Sequence, residues 1–139
     1  MYLMRMVYCS KMSDEFSTKE IDQILASARL NNKKVDVTGL LCFNRKYFLQ
    51  CLEGGRTEFN KIYHAILNDR RHHNIVLLSY DEIVEREFAH WSMAYVPEVK
   101  ITDEINMRFS GTPDFDPFSM HGESTFKMLQ ELKSQISEI

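Results

Sequence analysis

The sequence predicts an α+β fold: a sheet with two helices on one face and a helical extension on the other. Three observations predict it. Strand-like alternation and helical periodicity succeed one another in the order βαββαβ, with one more strand behind. The first three strands are apolar on both faces, for example Leu41 and Phe43 against Leu40 and Cys42, so the sheet needs a cover on each side. Thr125 to Ile139 carries Phe126, Leu129, Leu132 and Ile136 at helical spacing and supplies the second cover.

Taken in order, residues 2–10 make a strand with Tyr2, Met4, Met6 and Tyr8 on one face and Leu3, Arg5, Val7 and Cys9 on the other. Ser17-Thr18-Lys19-Glu20 fits a capping box that opens a helix. Its stripe is Ile21, Ile24, Leu25 and Ala28, extended by Asn31 and Asn32, and Lys33-Lys34-Val35-Asp36 reads as the turn that follows. Val37 to Phe43 and Tyr47 to Gly54 form a hairpin around Asn44-Arg45-Lys46. Gly54-Gly55 releases a second helix with the stripe Phe59, Ile62, Tyr63, Ile66 and Leu67, which runs out over residues 68–74. Ile75 to Tyr80 is a fourth strand, Glu85 to Phe88 a polar connection, and Trp91 to Val96 a fifth strand closed by Pro97. Gly111 to Pro117 is a loop. This order is that of the ferredoxin-like βαββαβ sandwich, with a fifth strand and a C-terminal helical extension added.

Composition narrows the function classes. A chain of 139 residues with 44% hydrophobic and 27% charged side chains is one globular domain's worth. The formal net charge of −3 and scattered basic residues lack the concentrated positive footprint of nucleic-acid binding. The N-terminus reads as a strand and not a signal peptide, and no apolar run approaches the ~20 residues that span a bilayer. Cys9, Cys42 and Cys51 lack metal-ligand spacing and sit in apolar strand patterns, as small buried hydrophobes in a reducing compartment. A cytoplasmic protein is expected.

Polar side chains on apolar faces carry the functional signal. Gln50 alternates with Phe48 and Leu52, so its amide points into packing, where an unpaired amide costs roughly 1–3 kcal/mol. Tyr8, Asn31, Asn32 and Asp69 fall on or at the end of similar faces. Singly, each has a structural explanation: a backbone-satisfied amide, a helix C-cap, a core tyrosine with its hydroxyl at the rim. Together, two kinds of carboxamide, an acid and a phenol converge between two helices and a sheet without a nucleophile–base pair. Such a set suits the mixed donor and acceptor edge of a planar heterocycle, such as a flavin pyrimidine. Arg71 and His72 could serve a ribityl or phosphate side, or be basic residues at a solvated helix end. His72-His73 as a metal pair is disfavoured, because adjacent histidines diverge and no partner ligand is apparent.

These residues resemble the BLUF domain, the blue-light sensor using FAD. The resemblance rests on Tyr8-Cys9-Ser10, Asn31-Asn32, Thr38-Gly39-Leu40-Leu41-Cys42, Phe48-Leu49-Gln50-Cys51-Leu52-Glu53-Gly54, Asp69-Arg70-Arg71-His72, and Phe88 with Trp91-Ser92-Met93. It covers residues 2 to about 97, which gives a sensor domain at 1–97 and a C-terminal helical extension at 98–139, as in short stand-alone members of the cyanobacterial PixD type. It implies non-covalent FAD between the two helices, with Tyr8 as photochemical electron and proton donor and Gln50 as the relay between phenol and flavin. Asn31 and Asn32 would hold the pyrimidine edge, and Asp69, Arg71 and His72 the other polar side. Trp91 and Met93, two apart and so on one face, would be the switch pair beside Gln50. The lit state would keep an oxidised flavin with a stronger hydrogen bond to its C4 carbonyl and a red-shifted absorption. The family role is signalling and not enzymatic, through a homo-oligomer and a separate effector protein.

Two positions depart from the usual pattern: Ala65 stands where relatives often carry a long polar residue, and Ala28 where many carry Ser. Both bear on colour tuning and recovery rate. The competing classes are a ferredoxin-like redox flavoprotein, which would need a reactive Cys9 or Cys51, and an interaction module using an exposed sheet.

Overall fold

The computed structural model describes residues 2–14, 17 and 19–136. Its elements are β1 (Leu3–Met12), α1 (Lys19–Lys34), β2 (Thr38–Phe43), β3 (Tyr47–Gly55), α2 (Arg56–Leu67), β4 (His72–Glu82), β5 (Ala94–Val96), α3 (Asp103–Ser110) and α4 (Gly122–Lys133). The strands form one sheet in the order β4-β1-β3-β2-β5. All pairings are antiparallel except β2 with β5, which the connection through α2 and β4 makes parallel. β3 therefore lies at the centre, and every side chain on it must find a partner within the protein.

Alternation along β1 and β3 sorts the core into two layers. Met4, Met6, Tyr8, Phe48 and Leu52 pack against Ile21 and Leu25 of α1 and Phe59 of α2. Val7, Cys9, Leu49 and Cys51 pack on the opposite face against Ile105 of α3 and Met128, Leu129 and Leu132 of α4. The α+β sandwich with a helical cover on each face is thus the observed architecture. All three cysteines are buried in the second layer as free thiols, as their strand patterns require.

Local chemistry sets the connections. In the β2–β3 hairpin the Asn44 side-chain carbonyl oxygen accepts from the Lys46 and Tyr47 amides at 2.8 Å, an Asx turn that closes the loop. Gly39 lets β2 and β3 approach: a Cβ there would lie 2.2 Å from the Cys51 carbonyl oxygen. At the end of α3, Gly111 takes φ 78° and stops the helix in the left-handed region.

Several expected boundaries shift. α1 continues through Lys33 and Lys34, where the basic side chains suit the helix C-terminus, and the turn is made by Asp36 at φ 56°. β4 begins at His72, not Ile75, because Met12 and Lys11 extend β1 and pair with His72 and His73. The fifth strand is only Ala94–Val96, so Trp91 and Met93 precede it. They do not share a face: Met93 is buried in the helix-side layer, while Trp91 packs on the α3/α4 side, stacked on Phe88. Without a strand at 91–93, period-two alternation does not apply there. α3 was not anticipated, and α4 starts at Gly122 and ends at Lys133, with Ile136 packed just beyond. At the expected capping box, the Glu20 amide donates to the Ser17 carbonyl at 3.0 Å, and Thr18 between them lies outside the described residues, as do residues 137–139 at the tail of the expected last helix.

Gly39→Ala should destabilise the fold by about 1–3 kcal/mol, the cost of overpacking against backbone that cannot yield, read as a lowered midpoint in chemical denaturation.

Candidate functional site

A cavity opens between α1, α2 and the sheet, enclosing about 780 Å³ of empty space, part of it open to solvent. Ile24 and Ala28 of α1 and Ile62 and Ile66 of α2 form its helical walls, and Leu41, Phe48 and Leu52 its base on the sheet. All seven residues expected at a cofactor, Tyr8, Asn31, Asn32, Gln50, Asp69, Arg71 and His72, line this one space. Ala65 and Ala28 line it too, where their small side chains leave room.

The core of the site follows from strand register. Tyr8 on β1 and Gln50 on β3 are direct cross-strand partners, so their side chains rise from the same face of the sheet. The Tyr8 hydroxyl donates to Gln50 Oε1, and Gln50 Nε2 faces Met93 Sδ at 3.3 Å. Both residues are buried, at 4% and 7% exposure, and the amide finds side-chain partners at both ends. Its two ends meet different neighbours, a phenol and a thioether. Of the two residues 91 and 93, Met93 is therefore the one against Gln50.

The segment before β5 is fixed from α1. Asn32 Nδ2 donates to the Ser92 carbonyl at 2.9 Å, which orients its amide, and Arg29 Nε donates to the Met93 carbonyl at 2.9 Å. Asn32 is buried, while Asn31 is exposed and lies at the cavity rim. Arg29 escaped the sequence reading; its place one turn before Asn32 and Lys33 was the available signal.

At the other polar side, Arg71 Nη2 lies 2.6 Å from Asp69 Oδ2 and its Nε 2.9 Å from Oδ1. Burial works to raise the Asp69 pKa, but the Arg71 side-chain and backbone hydrogen bonds outweigh it and hold the carboxyl below its usual range. The same bonds raise the Arg71 guanidinium. His72 is occupied at both ring nitrogens: Nε2 meets the Ile66 carbonyl at 2.9 Å, and Nδ1 meets the Ser10 hydroxyl at 2.7 Å. A carbonyl only accepts, so Nε2 carries a proton. His72 thus pins β4 to α2 and presents its ring to Tyr8, centroids 6.2 Å apart.

A second polar group in the core was also missed. Glu53 on β3 is fully buried on the α3/α4 face and ion-paired to its cross-strand partner Arg5 at 2.8 Å. The signal lay in the double cover: an acid on the central strand, with apolar residues on both faces, had nowhere exposed to go.

Burial also pushes the Tyr8 phenol far above its usual range, with Asp69 and Tyr63 adding to it, and pushes the Cys9 thiol up to about 12. Cys42 and Cys51 are raised for the same reason, so the thiolate that a reactive cysteine needs is disfavoured. Among the described residues no group of histidines, cysteines and acids could hold a metal ion, and no helix is long and apolar enough to cross a membrane. The raised Tyr8 pKa has a thermodynamic consequence. Below the unfolded value of 10.0 the phenol is protonated in both states and its contribution is intact. Above it the unfolded chain releases the proton first, so stability falls as pH rises, by up to about 1.4 kcal/mol per pH unit for this group. Tyr8→Phe should make the decline in stability between pH 10 and 11 shallower by about that slope in denaturant titrations.

The walls and donors fit a flavin. Apolar side chains face each other across a slot, and amides, an acid–guanidinium pair and a phenol edge it with both donors and acceptors. Comparison with known proteins agrees. The family model described as BLUF, sensors of blue-light using FAD, matches residues 3–94. The blue light- and temperature-regulated antirepressor BluF of Escherichia coli K12 is 38% identical over 91 residues, which are 66% of this chain and 23% of that protein. Photoactivated adenylate cyclase subunit beta of Euglena longa is 28% identical over 69% of this chain and 11% of its own length. The chain thus spans a quarter or less of the length of these curated relatives. Among solved structures, the photo-activated state of BlsA superimposes with a TM-score of 0.85 at 29% identity, covering 98% of this chain and 96% of that one. The dark state of BlrB does so with 0.78 at 25% identity, covering 96% of each. The chain belongs to the BLUF family, the sensors of blue light using FAD.

Proposed function

We propose that Tyr8 and Gln50 are the photochemical pair of a blue-light receptor, and that Met93 reads the state of the Gln50 amide. The observation that carries this is the buried chain Tyr8 hydroxyl to Gln50 Oε1, with Gln50 Nε2 on Met93 Sδ, at the wall of the cavity. A bound flavin supplies blue-light absorption and an acceptor for one electron. Tyr8 gives up an electron and its phenolic proton, and both return to it within the cycle. The phenol carries its proton at neutral pH as any tyrosine does, and burial, which raises its pKa, keeps it protonated into the alkaline range as well. Gln50 can rotate or tautomerise without changing net charge or volume, so the hydrogen-bond pattern reverses at no cost in packing. Turned over, its carbonyl end faces the Met93 thioether, which accepts weakly and donates nothing. The contact at 3.3 Å is then lost, and the segment leading into β5 is released from one of its ties.

Asn31, Asn32, Asp69, Arg71 and His72 hold the flavin's polar periphery in this reading. His72 acts through its ring and through the pin it makes between β4 and α2, and Trp91 acts from the α3/α4 side. Residues 1–97 are the sensor and 98–139 the extension that carries the change onward. The chain signals and does not turn over substrate; it acts in the cytoplasm as a homo-oligomer and passes its state to a separate effector protein.

The purified protein should be yellow and release FAD on denaturation. Blue light should shift its visible absorption slightly to the red, reversibly in the dark. Tyr8→Phe and Gln50→Leu should each keep flavin and lose that shift; a shift that survives either substitution defeats the assignment, as does a preparation that takes up no flavin on refolding.

A further inference from the structure

We propose that Glu53 is a positioning residue for the light response, resting on the Tyr8–Gln50 reading above: its buried carboxylate holds residues 86–93 from the far side of the sheet and so sets how Met93 meets Gln50. Gln50 and Glu53 are three apart on β3 and project from opposite faces. Each grips the same segment. On the cavity side, Gln50 Nε2 reaches Met93 Sδ at 3.3 Å. On the other side, Glu53 Oε1 accepts from the Phe88 amide at 2.7 Å and Oε2 from the Glu87 amide at 3.0 Å. Two consecutive backbone amides on one carboxylate fix the local chain direction, and Arg5 at 2.8 Å neutralises the charge.

A buried ion pair is weak evidence for stability, because a hydrophobic pair of similar volume often does as well or better. What distinguishes this one is what it orients. Phe88, fully buried, stacks on Trp91, and the Trp91 carbonyl accepts from the Gly39 amide at 3.0 Å, so the clamp at 87–88 passes to the approach to Met93. The same residues are held from outside by α4. Lys133 Nζ donates to the Glu87 carbonyl at 2.5 Å and lies 5.7 and 5.9 Å from the Phe88 and Trp91 ring centres. The segment is thus tied to the flavin-side amide at Met93 and, at Glu87 and Phe88, to both the Glu53 carboxylate and the C-terminal helix.

The test uses the full, flavin-loaded chain. Glu53→Gln keeps shape and loses the charge. It should retain flavin and the red shift, since Tyr8 and Gln50 are untouched, yet change the dark-recovery rate by about threefold or more and speed amide exchange over residues 92–96. Lys133→Met leaves the buried pair intact. It should retain the red shift and abolish the light–dark difference in amide exchange over α4. A flavin-loaded Glu53→Gln protein with unchanged recovery and unchanged exchange at 92–96 overturns the proposal. Should that variant fail to fold, Glu53→Asp, which keeps the charge but shortens its reach to the Glu87 and Phe88 amides, takes its place, and unchanged recovery and exchange at 92–96 overturn the proposal. In either case the unsubstituted chain still shows its red shift. Absence of that shift in the unsubstituted chain defeats the light-sensing reading itself, and this inference with it.

Discussion

A central strand covered on both faces leaves no place for a polar side chain without a partner built to receive it. β3 carries two such side chains, Gln50 toward α1 and α2 and Glu53 toward α3 and α4. An amide or carboxylate stranded there costs several times the worth of an ordinary hydrogen bond, so each dictates what stands opposite. Cross-strand register supplies the partner in both cases from β1: Tyr8 opposite Gln50 and Arg5 opposite Glu53. The site and the clamp behind it are therefore two outcomes of one constraint, met on alternate faces of the same pair of strands.

The two outcomes differ in chemistry. The neutral pair can reverse its hydrogen bonds without moving charge, which suits a group that must change state inside a packed core. The charged pair resists rearrangement, because breaking it leaves an uncompensated buried ion. One face of β3 thus carries a pair that can reverse its hydrogen bonds, and the other a pair that resists rearrangement. Residues 86–93 run between them, joined to α1 by Asn32 and Arg29 and to α4 by Lys133.

Period two in the strands and period 3.6 in the first two helices made the succession of elements, the covers on both sheet faces and the burial of Gln50 legible in sequence. The place of β5 beside β2 came only from the structure. The cavity-lining residues were legible too, because polar groups at the ends of apolar stripes have few structural excuses when several converge. Reading failed where regular periodicity gave out. Trp91 and Met93 were placed on one face by a strand that begins only at Ala94. His72 belongs to β4 because β1 extends to Met12, a tertiary pairing that local propensity cannot reveal. Glu53 was passed over although the double cover already implied its burial. α3 has one buried apolar residue, Ile105, and a buried Asn106 whose amide donates to the Pro113 carbonyl, so its stripe is faint.

The close packing at the start of α4 bears on how this helix can move. A Cβ at Gly122 would lie 2.2 Å from the Leu78 carbonyl oxygen, so the first turn sits directly on the backbone of β4. The helix spans 12 residues, about 18 Å, with Lys133 at its far end. With its first turn held by that contact, any motion of the helix relative to the sheet is a pivot about Gly122. A displacement of ~1 Å at Lys133 becomes a tilt of about 3°, with almost no translation along the sheet. Whatever rests on the outer face of α4 meets a change of angle, not of position.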